Sequence, residues 1–159
     1  MLTQVLSSIF ERDLNKVKQE IEQYRHENKI WIIDKGILNS AGNLCLHLIG
    51  NLNTYIGKEL GGTNYVRNRD LEFSQKDVLK SELIKQVEST IIVVKNSLEK
   101  LNRDDLEKNY PVKVFENAMS TEYFLVHLSA HLAYHLGQIN YHRRLLDLQR
   151  QRLYNSSTA

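Results

Sequence analysis

Two long stretches of the sequence contain no charged side chain, and they constrain the fold more than any other feature. No Asp, Glu, Lys or Arg occurs in residues 36–57 or 123–142. The second stretch has twenty residues, the length of a membrane span. It also carries four histidines, Ser129, Gln138 and Asn140, each of which is costly in lipid. The sequence therefore predicts two central helices of a helical bundle and no association with a membrane.

Apolar residues at steps of three and four predict four helices. They cover about residues 2–24, 40–60, 74–101, and 120 or 121 to beyond 148. Gly61 and Gly62 are a stop signal for the second helix, and Ser74 and Asp77 have the spacing of a capping box for the third. Residues 102–119 include Pro111 and are expected to form a long crossing loop. The predicted fold is an all-α four-helix bundle.

Composition limits the class of protein further. The 159 residues suit one domain over 1–159, and seven Gly with one Pro are too few for an all-β fold. The net charge is +2 with both signs interspersed, so no binding of nucleic acid is expected. Cys45 is the only cysteine, and it is expected to be buried. No targeting signal is evident, which favours the cytoplasm.

The fourth predicted helix collects its polar side chains on one arc. At about 100° per residue, His127, His131, His135, Gln138 and His142 fall within an arc of roughly 80°. Leucines and one isoleucine fill the neighbouring arc, so the polar arc lies at the flank of the core. We therefore expect the histidines to face a partner helix.

The second predicted helix carries a matching polar stripe. Asn43, His47, Asn51 and Tyr55 follow one another at i, i+4 spacing beside apolar residues. An unpaired buried polar group costs about 1–3 kcal/mol, so two polar seams are best satisfied when they face each other. The two uncharged helices are therefore predicted to pair along these seams.

Several imidazoles in a confined apolar space indicate a divalent metal ion. Protonating them would bury like charges, whereas each neutral imidazole offers a lone pair to a metal. Residues at i and i+4 lie about 6 Å apart along a helix, so two rings can reach one ion with a third from the facing helix. His127/His131 and His131/His135 have the same spacing, and geometry leaves both pairs open. His142 lies nearly two turns past His135 and is expected at the surface or the bundle end.

Two blocks of the sequence resemble the DinB-like family. Residues 40–48 (SAGNLCLHL) are similar to its second-helix histidine segment, and residues 131–138 (HLAYHLGQ) are similar to its fourth-helix H-x-x-x-H-x-G-Q segment. The similarity extends from the first helix to about residue 148. Residues 65–70 (YVRNRD) also resemble a loop in one branch of the family, and we expect a surface loop with local ion pairs there.

The resemblance implies both a fold and a metal site. It implies a bundle in up-down-down-up order, frequent homodimers, and a metal triad of His47, His131 and His135, with His127 as a neighbour. The ion would be nickel, zinc, iron or manganese. Relatives include thiol-dependent transferases and isomerases that use small cellular thiols. Many relatives have a basic residue after the last histidine, where this chain has Leu136.

The first functional hypothesis is a metal-dependent enzyme acting on a small molecule or a low-molecular-weight thiol. Three protein ligands leave positions for water or substrate, and the metal lowers the pKa of a bound water or thiol. Asn43, Asn51, Tyr55 and Gln138 are expected to orient ligands or substrate. Neither polar seam contains a carboxylate to act as a general base, which favours thiol transfer over hydrolysis.

The alternative hypothesis is a non-catalytic dimeric module that binds metal or serves as a structural or interaction domain. Ser129, Ala133 and Gly137 form a ridge of small residues on the other side of the fourth helix. Such a ridge permits close helix approach, either within the fold or between subunits.

Overall fold

The computed structural model describes residues 2–34 and 36–147, and it is built from helices. Its six α-helices are α1 (Leu2–Glu22), α2 (Ala41–Leu52), α3 (Arg69–Ser74), α4 (Lys80–Leu98), α5 (Arg103–Glu107) and α6 (Thr121–Leu146). A 3₁₀ turn at Glu27–Trp31 follows α1, and a π-helical segment at Asn53–Lys58 continues α2. Within the described ranges there is no β-strand, only an isolated bridge between Asn109 and Ser120. The predicted all-α class is confirmed.

The long helices enclose one hydrophobic core. Helix α1 contacts α4 and α6, and α2 contacts the same two helices. Phe10 of α1, Leu48 of α2, Leu83 of α4 and Leu125 of α6 are each at most 1% exposed. Each of these residues belongs to the apolar stripe that its helix turns toward the core. The up-down-down-up order stays a prediction.

Side-chain caps fix where α2 and α6 begin. The Ser40 hydroxyl accepts a hydrogen bond from the backbone N–H of Asn43, and the Ser120 hydroxyl accepts one from that of Tyr123. Each cap satisfies a backbone donor that a helix start leaves free. Both starts agree with the sequence prediction. The predicted continuation of α6 past Leu148 lies outside the described residues.

The connections to and from α4 differ from the prediction. Helix α4 begins at Lys80, and Asp77 has a φ of 58°, so the capping box predicted from Ser74 and Asp77 is wrong. Ser74 instead closes α3, where its hydroxyl donates to the Asp70 carbonyl. The predicted loop after α4 contains α5, which begins with a capping box between Asn102 and Asp105.

The two uncharged helices differ in their burial. Every residue of α2 is buried, as expected for a central helix. Helix α6 exposes Tyr123, Val126, Tyr134, Tyr141 and Leu145, whose exposed fractions run from 47% to 65%. The prediction of a central position is therefore wrong for α6. Uncharged residues occupy its exposed face, so the lack of charge did not mark burial there.

Candidate metal centre

Three imidazoles from α2 and α6 meet at one point. His47 Nε2 lies 3.3 Å from His131 Nε2, and His135 Nε2 lies 3.1 Å from the same atom. One potential ligand atom from each of the three rings lies within 4.8 Å of the other two. His131 and His135 are one turn apart on α6, and His47 approaches from the buried face of α2. The two polar seams therefore meet at these three histidines, as the sequence predicted.

Hydrogen bonds on the far side of two rings fix where their lone pairs point. His47 Nδ1 lies 3.0 Å from a carboxylate oxygen of Glu72, and His135 Nδ1 lies 2.6 Å from the side-chain oxygen of Gln138. Both partners are acceptors, so each Nδ1 carries the proton and donates it. The Nε2 atoms of both rings then hold free lone pairs, and these lone pairs face the third ring.

The spacing of these atoms fits a metal ion. Bonds of about 2.0–2.1 Å at tetrahedral angles place two nitrogen ligands roughly 3.3 Å apart. The two measured Nε2 separations, 3.1 and 3.3 Å, agree with that value. Without an ion, the only hydrogen that can lie between these nitrogens is one on His131 Nε2. The lone pairs of His47 and His135 would then compete for that one hydrogen. The donor set suits a first-row divalent ion, since imidazole binds zinc, nickel and iron.

The environment keeps the imidazoles of His131 and His135 neutral. Burial, reinforced by the neighbouring His135 and His47, lowers the pKa of His131 to about 4. Burial also lowers the pKa of His135, although its hydrogen bond with Gln138 opposes this. Neutral imidazoles are the form that binds metal. At neutral pH these two rings are therefore ready to coordinate an ion.

Glu72 on the short helix α3 is a site residue that the two polar seams did not reveal. Its side chain is 6% exposed, and Arg67 holds both carboxylate oxygens, Nε to Oε1 at 2.6 Å and Nη2 to Oε2 at 2.8 Å. Burial favours a raised pKa for Glu72, but the hydrogen bonds from Arg67 and His47 outweigh it, and the pKa lies below its usual value. Glu72 is therefore an ionised carboxylate behind His47.

The loop at 65–70 is consequently more than a surface loop. The predicted local ion pair is present between Arg67 and Glu72, but the Arg67 side chain is only 13% exposed and lies over the ring of Tyr55 at 5.6 Å. No periodicity in the sequence linked this loop to the histidines. The resemblance of residues 65–70 to a family loop was the one available signal.

The other predicted orienting residues have different partners. Asn43 donates from Nδ2 to the backbone carbonyls of Glu72 and Gln75, so it fastens α3 to α2. Gln138 orients His135, as predicted. Asn51 is 7% exposed, and its side-chain oxygen lacks a hydrogen-bond partner within residues 2–34 and 36–147. Tyr55 lies beneath Arg67.

The other two histidines of α6 lie outside the cluster. His127 is exposed and stacks on Phe124 at 5.9 Å, while its ring centre is 6.3 Å from that of His131. His142 is 2% exposed, so of its two expected positions the surface is wrong, and the end of the bundle remains. The His142 ring joins Tyr24 and the Ile32 carbonyl, with Nδ1 2.6 Å from the tyrosine oxygen and Nε2 2.8 Å from the carbonyl. His142 is a hydrogen-bonded residue of the core.

Cys45 is fully buried, as predicted, and burial raises the pKa of its thiol to about 12. A thiol with such a pKa stays protonated at neutral pH and is a poor nucleophile. Among residues 2–34 and 36–147, no helix combines the length and the hydropathy that crossing a bilayer requires.

The helical fold and the facing imidazoles define an all-α protein with a candidate metal centre. The chain belongs to the family described as "Protein of unknown function (DUF1572)", which matches residues 2–154. A crystal structure of a conserved protein from Enterococcus faecalis superposes with a TM-score of 0.73, at 15% identity, over 92% of this chain and 97% of that one. This similarity shows a shared fold. No curated protein matches the sequence.

Proposed function

We propose that the protein is a metal-dependent enzyme of the DinB-like type, a four-helix bundle that binds one divalent ion through His47, His131 and His135. The convergence of two fixed Nε2 lone pairs on the third imidazole carries this proposal. Three imidazoles with open coordination positions are typical of reactive metal sites and not of structural ones. The family resemblance implies nickel, zinc, iron or manganese as the ion, and imidazole ligands suit the first three of these.

The residues around the cluster suggest the type of reaction. A divalent ion bound there supplies a Lewis acid that lowers the pKa of a bound water or thiol. Glu72 is a poor general base, because Arg67 and the Nδ1 side of His47 occupy both its oxygens. Thiol-dependent transfer needs no separate base once the thiol is ionised, so we favour it over hydrolysis.

A cleft lined by Gln138, about one helical turn beyond His135, offers room for a small substrate. It has a volume of about 350 Å³ and lies between the loop at 36–39 and α6. Gln138, the partner of His135, lines it together with the apolar side chains of Leu44, Tyr141 and Leu145. We propose that the substrate is a small molecule with an apolar part, which reaches the metal from this side.

The experiment starts with metal content. The protein is purified without a histidine tag, and its bound metal is measured by elemental analysis for the wild type, His131→Ala and His127→Ala. We expect one ion per chain in the wild type and in His127→Ala, and a loss in His131→Ala. Equal metal in both variants would exclude the proposed site. A panel of electrophiles with several low-molecular-weight thiols then tests the transferase reaction, and metal without turnover would leave only a binding role.

The second candidate function is a dimeric binding module. The exposed face of α6 supports the dimerisation of such a module. Tyr123, Val126, Ala130, Tyr134 and Tyr141 repeat there at helical steps without any charge between residues 123 and 142. The small residues in the middle of this face allow a second copy of α6 to approach closely across a two-fold axis. We therefore propose a homodimer that pairs through α6, and we propose the cytoplasm as its location.

Light scattering coupled to size exclusion tests the dimer. Ala130→Glu places a charge in the middle of the face, and Ser89→Glu makes a similar change at an exposed position of α4. We expect a dimeric wild type, a monomeric Ala130→Glu and a dimeric Ser89→Glu. A monomeric wild type would refute the homodimer.

Ser129 is only partly buried and Ala133 is exposed, so the ridge of small residues does not pack within the described fold.

A further inference from the structure

A buried carboxylate, that of Glu72, lies on α3 next to the histidine cluster. This helix has six residues, and Glu72 is its one buried residue. Asp70 on the same helix is exposed. Removing a carboxylate from water costs several kcal/mol unless it is paired and hydrogen-bonded. The burial of the Glu72 carboxylate therefore has to be explained, and attaching the short helix α3 to α2 does not explain it.

The fastening of α3 is done by another residue. Asn43 Nδ2 donates to the backbone carbonyl of Glu72 at 2.9 Å and to that of Gln75 at 2.8 Å. These bonds hold the helix by its backbone and do not involve the Glu72 side chain. The carboxylate is therefore available for a separate task, and replacing it leaves the anchor of α3 in place.

The carboxylate connects a cation to one imidazole. Arg67 grips it in the two-pronged geometry that arginine forms with carboxylates, at 2.6 and 2.8 Å. Glu72 Oε2 then faces His47 Nδ1 at 3.0 Å. Arg67 Nη2 is also 3.4 Å from His47 Nδ1, but both nitrogens are donors when Nδ1 is protonated, so the carboxylate is the acceptor that they share.

We propose that Arg67 and Glu72 are positioning residues for the ligand His47, which hold its proton on Nδ1 and aim its Nε2 at the cluster. This inference rests on the proposed function, because it assigns the pair a role in metal affinity. Hydrogen-bonded partners behind a metal-binding histidine fix its tautomer and orientation, and their mutation typically costs about 10–100-fold in affinity. Arg67 hydrogen-bonds both carboxylate oxygens, so Oε2 of Glu72 stays directed at His47 Nδ1 as the acceptor of its proton.

Cobalt(II) is the probe for the first test. Its dissociation constant is measured by competition with a chelator for the wild type, Glu72→Gln and the control Asp70→Asn, which makes the same chemical change at an exposed position of α3. We expect Glu72→Gln to bind cobalt about 10–100-fold more weakly and Asp70→Asn to match the wild type within twofold. Circular dichroism shows whether each variant is folded. Equal affinities in all three proteins would overturn the proposal.

The tautomer of His47 provides a second readout that a merely structural role of Glu72 would not change. Long-range ¹H–¹⁵N spectra of the metal-free protein distinguish a proton on Nδ1 from one on Nε2. We expect the Nδ1–H form in the wild type and a mixture in Glu72→Leu, which has no acceptor. An Nε2–H form in the wild type would overturn the pairing. A wild type that binds no cobalt refutes the metal function itself, and the tautomer then decides whether Glu72 positions the ring.

Discussion

Gly50→Ala should destabilise the protein, although the same substitution at an ordinary helical glycine is stabilising. It lies in the interior of α2, where Gly→Ala normally stabilises a helix by about 1 kcal/mol. A Cβ at Gly50 would collide with the carboxylate of Glu72. The carboxylate can avoid the methyl group only by leaving Arg67 or His47. We therefore expect Gly50→Ala to destabilise the protein.

The magnitude follows from the hydrogen bonds that Glu72 would lose. A hydrogen bond to a charged group contributes about 1.5–3 kcal/mol, which exceeds the helical gain of about 1 kcal/mol. Losing one bond gives a net loss of about 0.5–2 kcal/mol, and losing more of them gives a larger loss. In a domain of this size, each kcal/mol lowers the unfolding temperature by roughly 2–4 °C.

The matched control is Gly137→Ala on α6. Apart from its chain neighbours and its own helix backbone, no described atom of the chain lies within 4 Å of a Cβ at Gly137, so within one chain the helical gain has no opposing cost. Urea unfolding followed by circular dichroism, in chelator and at two protein concentrations, compares both variants with the wild type. The two protein concentrations separate this gain from any effect on the proposed α6 pairing. We expect a lower unfolding free energy for Gly50→Ala and a slightly higher one for Gly137→Ala. A stabilised Gly50→Ala would refute the claim that Glu72 is held in place.

Three further predictions concern the core and the ion. Tyr24→Phe leaves His142 Nδ1 without its donor and should cost about 1–3 kcal/mol in urea unfolding. The control Tyr134→Phe, at a ring that is 65% exposed in the single chain, should cost under about 0.5 kcal/mol when both proteins also carry Ala130→Glu to prevent pairing through α6. Burial lowers the pKa of His142, so the unfolded chain binds more protons than the folded one below about pH 6.5. The unfolding free energy in chelator should therefore fall as the pH drops. His142→Gln should make this pH dependence weaker, and an unchanged slope would contradict the prediction. Adding zinc at 100 times its dissociation constant should stabilise the metal-free protein by about 2.7 kcal/mol, or roughly 5–10 °C in a calorimeter, and His131→Ala should show no such shift.

The pairing of the histidines could be predicted because it depends on local periodicity. Helical spacing alone decides that His131 and His135 share a face, and the need to satisfy buried polar groups brings that face to His47. The choice between His127 and His135 did not follow from spacing. In the structure it depends on the neighbours of each ring, since Phe124 stacks on His127 while Gln138 accepts from His135.

The role of Glu72 could not be predicted in this way. It lies on a helix of six residues that shows no repeated pattern, and its place in the fold is set by the side chain of Asn43 from another helix. The exposed face of α6 was missed for a different reason. Tyrosine and alanine leave no charge in the sequence, yet they occupy surface positions as readily as buried ones.

The separation of the three imidazoles along the chain affects how an ion can be acquired. His47 and His131 are 84 residues apart, so the set of three imidazoles is incomplete until the segment that forms α6 has been synthesised. Metal loading would then be a late step in the life of each molecule, after α6 has docked. Core substitutions far from the imidazoles, such as those at Phe10 in α1, would lower metal content by slowing that docking, even though they touch no ligand.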